Sequence, residues 1–325
     1  MKAKSFLSCR FNDYIHFRKS YGFKIVCDSN NLMKFDQYLY SSNAKTLQDI
    51  DQLFILQMIS IEAEKFSPST VNQRITVLSS FFNYLCRIEL IKINPLDGIT
   101  RYKNLYYRPY VFSLEDLARL SDHLSKRLLM RDQEKYFLAR LSHYTALSIQ
   151  AECGLRISEV INLKIKDFDP LASTLYIEKT KFRKNRLIPI AHKTSIKISN
   201  YLNTRKNLIK VNTNNPYIFL SFLENKSKRK TLSQHFRIIL DEIGIYRPPR
   251  LVGNTVIGSP CTHSLRHSFA VNTIRRWKVQ GRDIDQIADT LATYMGHSSF
   301  VSTQVYLKAL NHNPEILIYR FGDRE

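Results

Sequence analysis

Residues 262–306 begin with T-H-S-L-R-H-S-F-A and end with Y-M-G-H-S-S-F-V-S-T-Q-V-Y. Four of their side chains are of types that act on a phosphate group: His263, Arg266, His297 and Tyr306. His263 and Arg266 are three positions apart, so a helix places them on one face. Gly296 is expected to end a helix, and Tyr306 then lies about two turns into the next one. The stretch predicts consecutive helices that gather an arginine, two imidazoles and a phenol.

The amino-acid composition indicates what kind of partner the protein binds. The chain has 325 residues and a formal net charge of +21, with ordinary hydrophobic content and few glycines and prolines. Such an excess of positive charge indicates a polyanionic partner, although a merely basic soluble protein is the alternative. No apolar run is long enough to span a bilayer, and the N-terminus is too polar for a secretion signal. We therefore expect a nucleic-acid partner, no membrane and a cytoplasmic location.

The cysteines argue against two kinds of site. There are five, an odd number, and no two lie close together in the sequence. That spacing disfavours a disulfide framework and a structural zinc site. We expect neither a metal ion nor another cofactor.

The first hundred residues predict a helical domain. Apolar spacing indicates helices at residues 5–20, 31–41, 47–64 and from Pro68 onward. Ser67 is placed to cap the last of these, with the proline at its first position. Its buried stripe is expected to comprise Val71, Ile75, Leu78, Phe82 and Leu85. Arg74 points away from that stripe, so it is a candidate DNA contact; a solvated helix face is the alternative.

A linker and a second domain follow. Residues 105–112 lie in a basic, tyrosine-rich segment without a clear period. The segment can run along nucleic acid as a strap or be packed by its tyrosines. Ser113 then begins a capping-box pattern. We predict a helical domain at 1–104, a linker at 105–112 and a second domain at 113–325.

The first candidate site residue of the second domain is an arginine with apolar neighbours in the sequence. In C-G-L-R-I-S-E, Gly154 should end a helix, and Arg156 and Glu159 share a face of the next turn. An arginine between Leu155 and Ile157 must be paired or directed at an anion. The alternative is an ion pair with Glu159 that has no function.

A change from helical to alternating period predicts a small antiparallel sheet. Its strands are expected at residues 163–168, 174–178 and 185–190. The last turn, K-T-K-F-R-K-N-R, carries five positive charges among eight residues. Because like charges repel, this turn is better explained by a groove of opposite charge. The candidate DNA contacts in this turn are Lys179, Arg183 and Lys184, and those in a second basic loop are Lys228, Arg229 and Lys230. Lys181, near the tip of the turn, can donate a proton.

The order of these motifs resembles the tyrosine recombinase (phage integrase) family. The matching elements are Arg156 in C-G-L-R-I-S-E, Lys181 before R-L-I-P-I, His263-x-x-Arg266, Gly296-His297 and Tyr306. They extend over residues 150–310. The resemblance implies a mainly α fold with a small antiparallel β-sheet: a helical core-DNA-binding domain followed by an α+β catalytic domain. The longer interval between Arg266 and His297 is similar to that of some transposon and integrative-element recombinases.

The resemblance also implies roles for these residues. Tyr306 would attack a DNA phosphodiester and form a 3′-phosphotyrosine. Arg156 and Arg266 would hold the phosphate oxygens, and Lys181 would protonate the leaving 5′-oxygen. His263 and His297 would bond the phosphate or move the tyrosine proton, and Glu159 would orient its neighbours. No cofactor would be required. Four protomers would assemble on two recombination sites of double-stranded DNA, with accessory or partner recombinases possible.

Three functions remain open at this level. The first is site-specific recombination, whether integration, excision, inversion, transposition or dimer resolution. The second is relaxation of DNA by a type IB topoisomerase-like monomer, which uses the same chemistry. The third is DNA binding without catalysis, although every side chain needed for catalysis is present.

Overall fold

The computed structural model describes residues 4–23, 25–42, 44–130, 133–178, 185–209, 215–221 and 225–296. These residues form a mainly helical fold with small antiparallel sheets, which confirms the predicted class. The chain divides into two compact units, Met1–Tyr106 and Tyr107–Glu325. The division lies inside the predicted linker. None of the described helices combines the length and hydropathy that a bilayer crossing requires.

Unit 1 consists of helices around one apolar core. They are α1 (Ser8–Ser20), α2 (Val26–Ser41), a short 3₁₀ turn (Leu47–Asp49), α3 (Gln52–Lys65) and α4 (Pro68–Arg87). The five residues of the predicted stripe on α4 are all buried. Phe11 of α1 packs against Phe35 of α2 and Phe81 of α4, with ring centroids 6.3 and 4.9 Å apart. Ser67 occupies the N-cap position of α4 and Pro68 is its first residue, as predicted, but the Ser67 hydroxyl bonds the Thr70 hydroxyl at 3.0 Å instead of a backbone amide.

Arg74 does not lie on the surface of unit 1, contrary to the prediction that it contacts DNA. The residue is only 4% exposed. Its guanidinium forms an ion pair with Glu62 of α3 and lies 4.0 Å from the ring centroid of Phe66. Desolvation raises the pKa of Glu62, although the positive charge of Arg74 opposes that rise. Arg74 is therefore an interior partner of Glu62 that the local period of α4 could not reveal.

Unit 2 is built on a larger core. Its helices are α5 (Leu114–Leu128), α6 (Glu134–Cys153), α7 (Ile157–Val160), α8 (His192–Leu208), α9 (Arg229–Glu242), α10 (Thr262–Val279) and α11 (Ile284–Met295). Ser113 forms the predicted capping box: its hydroxyl accepts from the Asp116 amide at 2.7 Å, and its amide donates back at 3.0 Å. Apolar side chains of α6, α8, α9 and α10 fill the core between them.

One of the predicted strands is mostly a turn. Strands β2 (Phe168–Asp169), β3 (Thr174–Ile177) and β4 (Arg186–Pro189) form an antiparallel sheet in the order β2-β3-β4. The prediction of a strand over residues 163–168 was wrong, because a 3₁₀ turn occupies Ile165–Asp167. The Asp167 carboxylate accepts the Lys164 amide at 2.9 Å and so closes that turn. A side chain that bonds its own backbone here competes with the sheet.

The sequence patterns missed a second sheet. It contains β1 (Tyr106–Arg108), β5 (Arg250–Val252) and β6 (Thr255–Ile257) in the order β1-β6-β5. Gly253 has a φ of +56° in the tight β5–β6 turn. A Gly-Asn pair between two short apolar runs is a hairpin signal that could have located this turn.

The start of unit 2 is packed rather than extended. The Gly258 amide donates to the Arg108 carbonyl at 2.9 Å. Phe112 is fully buried, and its amide donates to the Ser268 hydroxyl of α10 at 2.7 Å. Tyr110 packs edge-on against Phe112, with ring centroids 5.0 Å apart. Aromatic packing, one of the two alternatives for the segment 105–112, is thus seen at Tyr110 and Phe112, whereas Tyr106 and Tyr107 are exposed.

The second basic run is only partly a loop. Helix α9 begins at Arg229 and includes Lys230, whereas Lys228 is its N-cap residue. All three side chains are exposed. The prediction of a loop was therefore wrong for Arg229 and Lys230, but their exposure leaves them available to an anionic partner.

Candidate active site

Arg156 is positioned by a helix end and a short helical turn. Gly154 ends α6 with a φ of +61°, a left-handed conformation that favours glycine. The chain then turns, and Arg156 becomes the N-cap residue of α7. Its amide donates to Glu159 Oε2 at 2.9 Å, and its Nη1 donates to Glu159 Oε1 at 2.8 Å. The ion pair considered from the sequence therefore exists, and it fixes both the backbone and the side chain of Arg156.

Arg266 reaches the same place from α10. It is 1% exposed, an extreme burial for an arginine. Nη1 donates to the Gly154 carbonyl at 2.6 Å, and Nη2 donates to the Met295 carbonyl at 2.8 Å. The three-residue spacing of His263 and Arg266 was expected to place them on one face of a helix, and α10 contains both residues.

The end of α11 brings the two arginines together. Arg156 Nη2 donates to the Gly296 carbonyl at 3.0 Å, and Arg156 Nη1 lies 3.5 Å from the Met295 carbonyl that also accepts from Arg266. The last carbonyls of a helix carry partial negative charge, so they attract cations. Gly296 has a φ of +65° and follows the last residue of α11, as predicted. Both predicted phosphate-binding arginines thus meet where α11 ends.

A third arginine, which the sequence did not single out, completes this cluster. Arg186 is the first residue of β4 and is 12% exposed at its side chain. It donates to both oxygens of Glu159, at 3.1 and 2.9 Å, and its Nε donates to the Tyr294 carbonyl at 2.9 Å. Its position as the last residue of the basic run K-T-K-F-R-K-N-R was the signal that the sequence offered. One Glu159 carboxylate is therefore shared by two guanidinium groups.

The electrostatics of the cluster favour an ionised Glu159 and a neutral His263. Burial opposes the charge of Glu159, yet hydrogen bonds and charges of Arg186 and Arg156 lower its pKa. For His263, desolvation and the charges of Arg266, Arg156 and Arg229 lower the pKa to about 4. The His263 ring packs edge-on against His267, with ring centroids 4.6 Å apart. A neutral imidazole can both accept and donate a hydrogen bond near neutral pH.

Arg229, the first residue of α9, is among the charges that lower the pKa of His263. Arg229 was a candidate DNA contact. The exposed basic residues 228–230 and the arginines therefore contribute positive charge to one region of unit 2.

Several predicted site residues lie outside the described residues. These are Lys179, Lys181, Arg183, Lys184, His297 and Tyr306. The structure describes the residues that flank them: Glu178 and Asn185 beside the basic turn, and Gly296 before His297. Their proposed roles rest on the sequence.

Two potentially reactive groups near the cluster are held protonated. Burial raises the pKa of the Cys153 thiol to about 12. Burial and the neighbouring Cys153 raise the pKa of the Tyr294 phenol further above its ordinary value. Tyr294 instead donates its hydroxyl to the Pro189 carbonyl at 3.2 Å. Among the residues that the structure describes, no three His, Cys, Asp or Glu side chains lie together as a metal site would need.

The chain is similar to known proteins over nearly its whole length. The model of the phage integrase family matches residues 118–312. The integrase/recombinase y4rB of Sinorhizobium fredii is 30% identical over 308 residues, which cover 94% of this chain and 92% of that protein. The tyrosine recombinase XerC of Bacillus licheniformis is 28% identical over 94% of this chain and 91% of its own length.

Solved structures share the fold. XerH recombinase bound to its difH substrate has a TM-score of 0.63 and 20% identity, over 90% of this chain and 79% of that chain. A lambda integrase dimer bound to a COC′ core site has a TM-score of 0.65 and 17% identity, over 92% of this chain and 76% of that one. The family match covers more than half of the chain, and the arginines of the cluster lie within it. This protein therefore belongs to the phage integrase family.

Proposed function

We propose that the protein is a site-specific DNA recombinase that cleaves and rejoins strands through a 3′-phosphotyrosine intermediate. The observation that carries the proposal is the convergence of Arg156 and Arg266 on the Met295 carbonyl, at the end of α11. The next residues in the sequence lead to His297 and Tyr306. Two fixed guanidinium groups at the end of α11, from which the sequence continues to Tyr306, are suited to hold the phosphate that the tyrosine attacks.

The chemistry follows from these groups. The Tyr306 oxygen attacks the phosphorus, a bond from phosphorus to the tyrosine oxygen forms, and the bond to the 5′-oxygen breaks. Arg156 and Arg266 stabilise the negative charge on the non-bridging oxygens. The phenolic proton passes to a neutral histidine, for which His263 and His297 are the candidates. Lys181 gives a proton to the leaving 5′-oxygen. The 5′-hydroxyl of another strand reverses the step and completes the exchange.

We propose that the basic residues around the site contact the DNA backbone. Residues 228–230 are exposed, and the charge of Arg229 contributes to the low pKa of His263; the sequence 179–186 adds five positive charges among eight residues. Phosphate contacts of this kind position the duplex without reading its sequence. The helical unit 1 is proposed to contact the core of the site, without Arg74.

We also propose that four protomers act on two recombination sites. A lambda integrase tetramer bound to a Holliday junction shares the fold of this chain at 17% identity. Strand exchange needs a second cleaved strand, and each protomer has one candidate nucleophile. The apolar residues after Tyr306 are the proposed contact between protomers.

The decisive experiment uses a nicked suicide substrate made from DNA that flanks the gene. Wild type, Tyr306→Phe and the control Tyr40→Phe are compared on a denaturing gel. Tyr40 is 65% exposed in unit 1, so its hydroxyl serves as a matched control. We expect a covalent protein–DNA band from wild type and Tyr40→Phe and none from Tyr306→Phe.

Other outcomes would refute specific parts of the proposal. A band that persists in Tyr306→Phe would identify a different nucleophile. Tight DNA binding without any covalent band, including on a pool of random sequences, would indicate binding without catalysis. Cleavage and relaxation by a monomer, without exchange between two sites, would indicate topoisomerase activity instead.

A further inference from the structure

Arg186 connects two parts of the active site that are far apart in the sequence. Its planar guanidinium donates to both oxygens of Glu159, in the turn that carries Arg156. Its Nε donates to the Tyr294 carbonyl near the end of α11. The three bonds join β4, α7 and α11 through one side chain. A lysine cannot reproduce them, because an ammonium group lacks the rigid fork of five donors.

The connection to Arg156 runs through Glu159. The Glu159 side chain is 5% exposed. It receives the Arg156 amide, the Arg156 guanidinium and both Nη groups of Arg186. A carboxylate can accept about four such bonds, so this one is fully occupied. Without Arg186, the Glu159 carboxylate keeps only the two of these four hydrogen bonds that come from Arg156. The side chains of Glu159 and Arg156 can then rotate together.

The connection to α11 is equally close. A Cβ added at Gly296 would lie 2.8 Å from Arg186 Nη1, so the guanidinium is packed directly against the backbone that follows the helix. At the other end of β4, the Pro189 carbonyl accepts the Tyr294 hydroxyl at 3.2 Å. Strand β4 therefore holds the last turn of α11 at both of its ends. The chain after Gly296 leads to Tyr306.

We propose that Arg186 is a positioning residue: through Glu159 and the Tyr294 carbonyl, it sets where Arg156 lies relative to the segment that carries the nucleophile. The expected effect of Arg186 on the reaction rate rests on the proposed recombinase chemistry, whereas its expected effect on the structure does not. Arg186 itself binds Glu159 and a backbone carbonyl, so we assign it no contact with the reacting phosphate.

The physical basis is the steep dependence of rate on geometry. A displacement of about 1 Å in a reacting group can slow a reaction roughly 100-fold. Arg156 and the end of α11 belong to elements 140 residues apart. Loss of Arg186 removes a rigid connection between them and leaves the other contacts of Arg156 in place. We therefore expect slower chemistry with little change in DNA affinity.

The first test does not depend on activity. Hydrogen–deuterium exchange is measured on the whole protein for wild type, Arg186→Lys, Arg186→Met and the control Leu187→Ala. Leu187 is the next residue of β4, and its side chain is 64% exposed. We expect exchange of the amides at residues 293–296 to accelerate at least tenfold in both Arg186 variants and not in the control, while α6 keeps its protection. Unchanged exchange at residues 293–296 would overturn the proposal whether or not the protein cleaves DNA.

The second test is a double-mutant cycle of Arg186→Met and Glu159→Gln. Single-turnover formation of the covalent band is measured at saturating DNA, together with the dissociation constant. We expect each single variant to cleave roughly 100-fold more slowly with an affinity within about threefold of wild type. The double variant should be no slower than the slower single variant, because both changes break one connection.

The outcomes separate the two proposals. Rate losses that multiply in the double variant would show that Arg186 acts independently of Glu159, which contradicts the positioning role. Full activity of Arg186→Lys would show that charge alone suffices, which also contradicts it. Absence of a covalent band from wild type, including on a pool of random sequences, would refute the proposed recombinase chemistry, and the exchange measurement would still decide the structural role of Arg186.

Discussion

Gly154→Ala is expected to destabilise unit 2 by more than its backbone conformation alone explains. Gly154 ends α6 with a φ of +61°, and its carbonyl accepts from Arg266 at 2.6 Å. A left-handed conformation costs a residue with a Cβ about 1–2 kcal/mol. That part of the effect applies to any glycine with a positive φ.

The second part comes from Phe269 of α10. An added Cβ would lie 2.2, 2.8 and 2.9 Å from three carbon atoms of its ring. The ring cannot withdraw easily, because it stacks on Tyr294 with centroids 5.7 Å apart. Overpacking of this kind costs about 1–3 kcal/mol. The sum is roughly 2–5 kcal/mol, which corresponds to a fall in melting temperature on the order of 10 °C for a unit of this size.

Gly244→Ala provides a matched control in the same unit. Gly244 also has a positive φ, of +66°, but an added Cβ there would meet nothing within 4 Å. The control should therefore lose only the backbone part, about 1–2 kcal/mol. Urea and thermal denaturation, followed by a probe of unit 2, compare the two variants with wild type.

A double variant isolates the ring contact. In a Phe269→Ala background, Gly154→Ala should cost no more than Gly244→Ala, because the colliding ring is absent. Equal destabilisation by Gly154→Ala and Gly244→Ala in the wild-type background would refute the packing argument. The same would follow if removal of Phe269 left the cost of Gly154→Ala unchanged.

Three further predictions concern buried charge, pH and salt. Arg74→Met leaves the Glu62 carboxylate without its interior partner and should destabilise unit 1 by about 3–5 kcal/mol, as measured by urea denaturation. Adding Glu62→Gln should recover part of this loss. An unaltered urea midpoint in Arg74→Met would contradict the interior ion pair. Burial and the nearby His235 lower the pKa of His143 to about 4. The unfolded chain therefore binds its proton first as the pH falls from about 6.5, so stability should drop by up to roughly 3 kcal/mol by pH 4, with a smaller drop in His143→Gln. Glutamines at residues 228–230 should reduce the slope of log affinity for DNA against log salt by up to about 2.7, and an unchanged slope would exclude phosphate contacts there.

Local features of the active site were predictable from the sequence. The capping box at Ser113, the helix ends at Gly154 and Gly296, and the shared helix of His263 and Arg266 depend on residues within a few positions of one another. Backbone hydrogen bonds and side-chain spacing act over that range, so the sequence reports them directly. The order of the motifs then sufficed to predict the family.

The partners of the charged side chains were not predictable in the same way. Arg74 was expected at the surface because its spacing excludes it from the apolar stripe, yet α3 supplies a carboxylate and Phe66 a ring that bury it. Strand β1 pairs with a hairpin that follows it by some 150 residues, so no short pattern contains both. The segment 163–168 alternates like a strand, but a side chain of its own closes it into a turn.

The sequence by itself therefore determined the helices and where they end, because these follow from short-range spacing, and the order of its motifs indicated the candidate phosphate-binding arginines. Tertiary structure alone decided that Arg186 shares Glu159 with Arg156 and that three guanidinium groups meet at the last carbonyls of α11. Those contacts join residues 27 to 140 positions apart, and only the packing of β4, α7, α10 and α11 brings them within hydrogen-bonding distance.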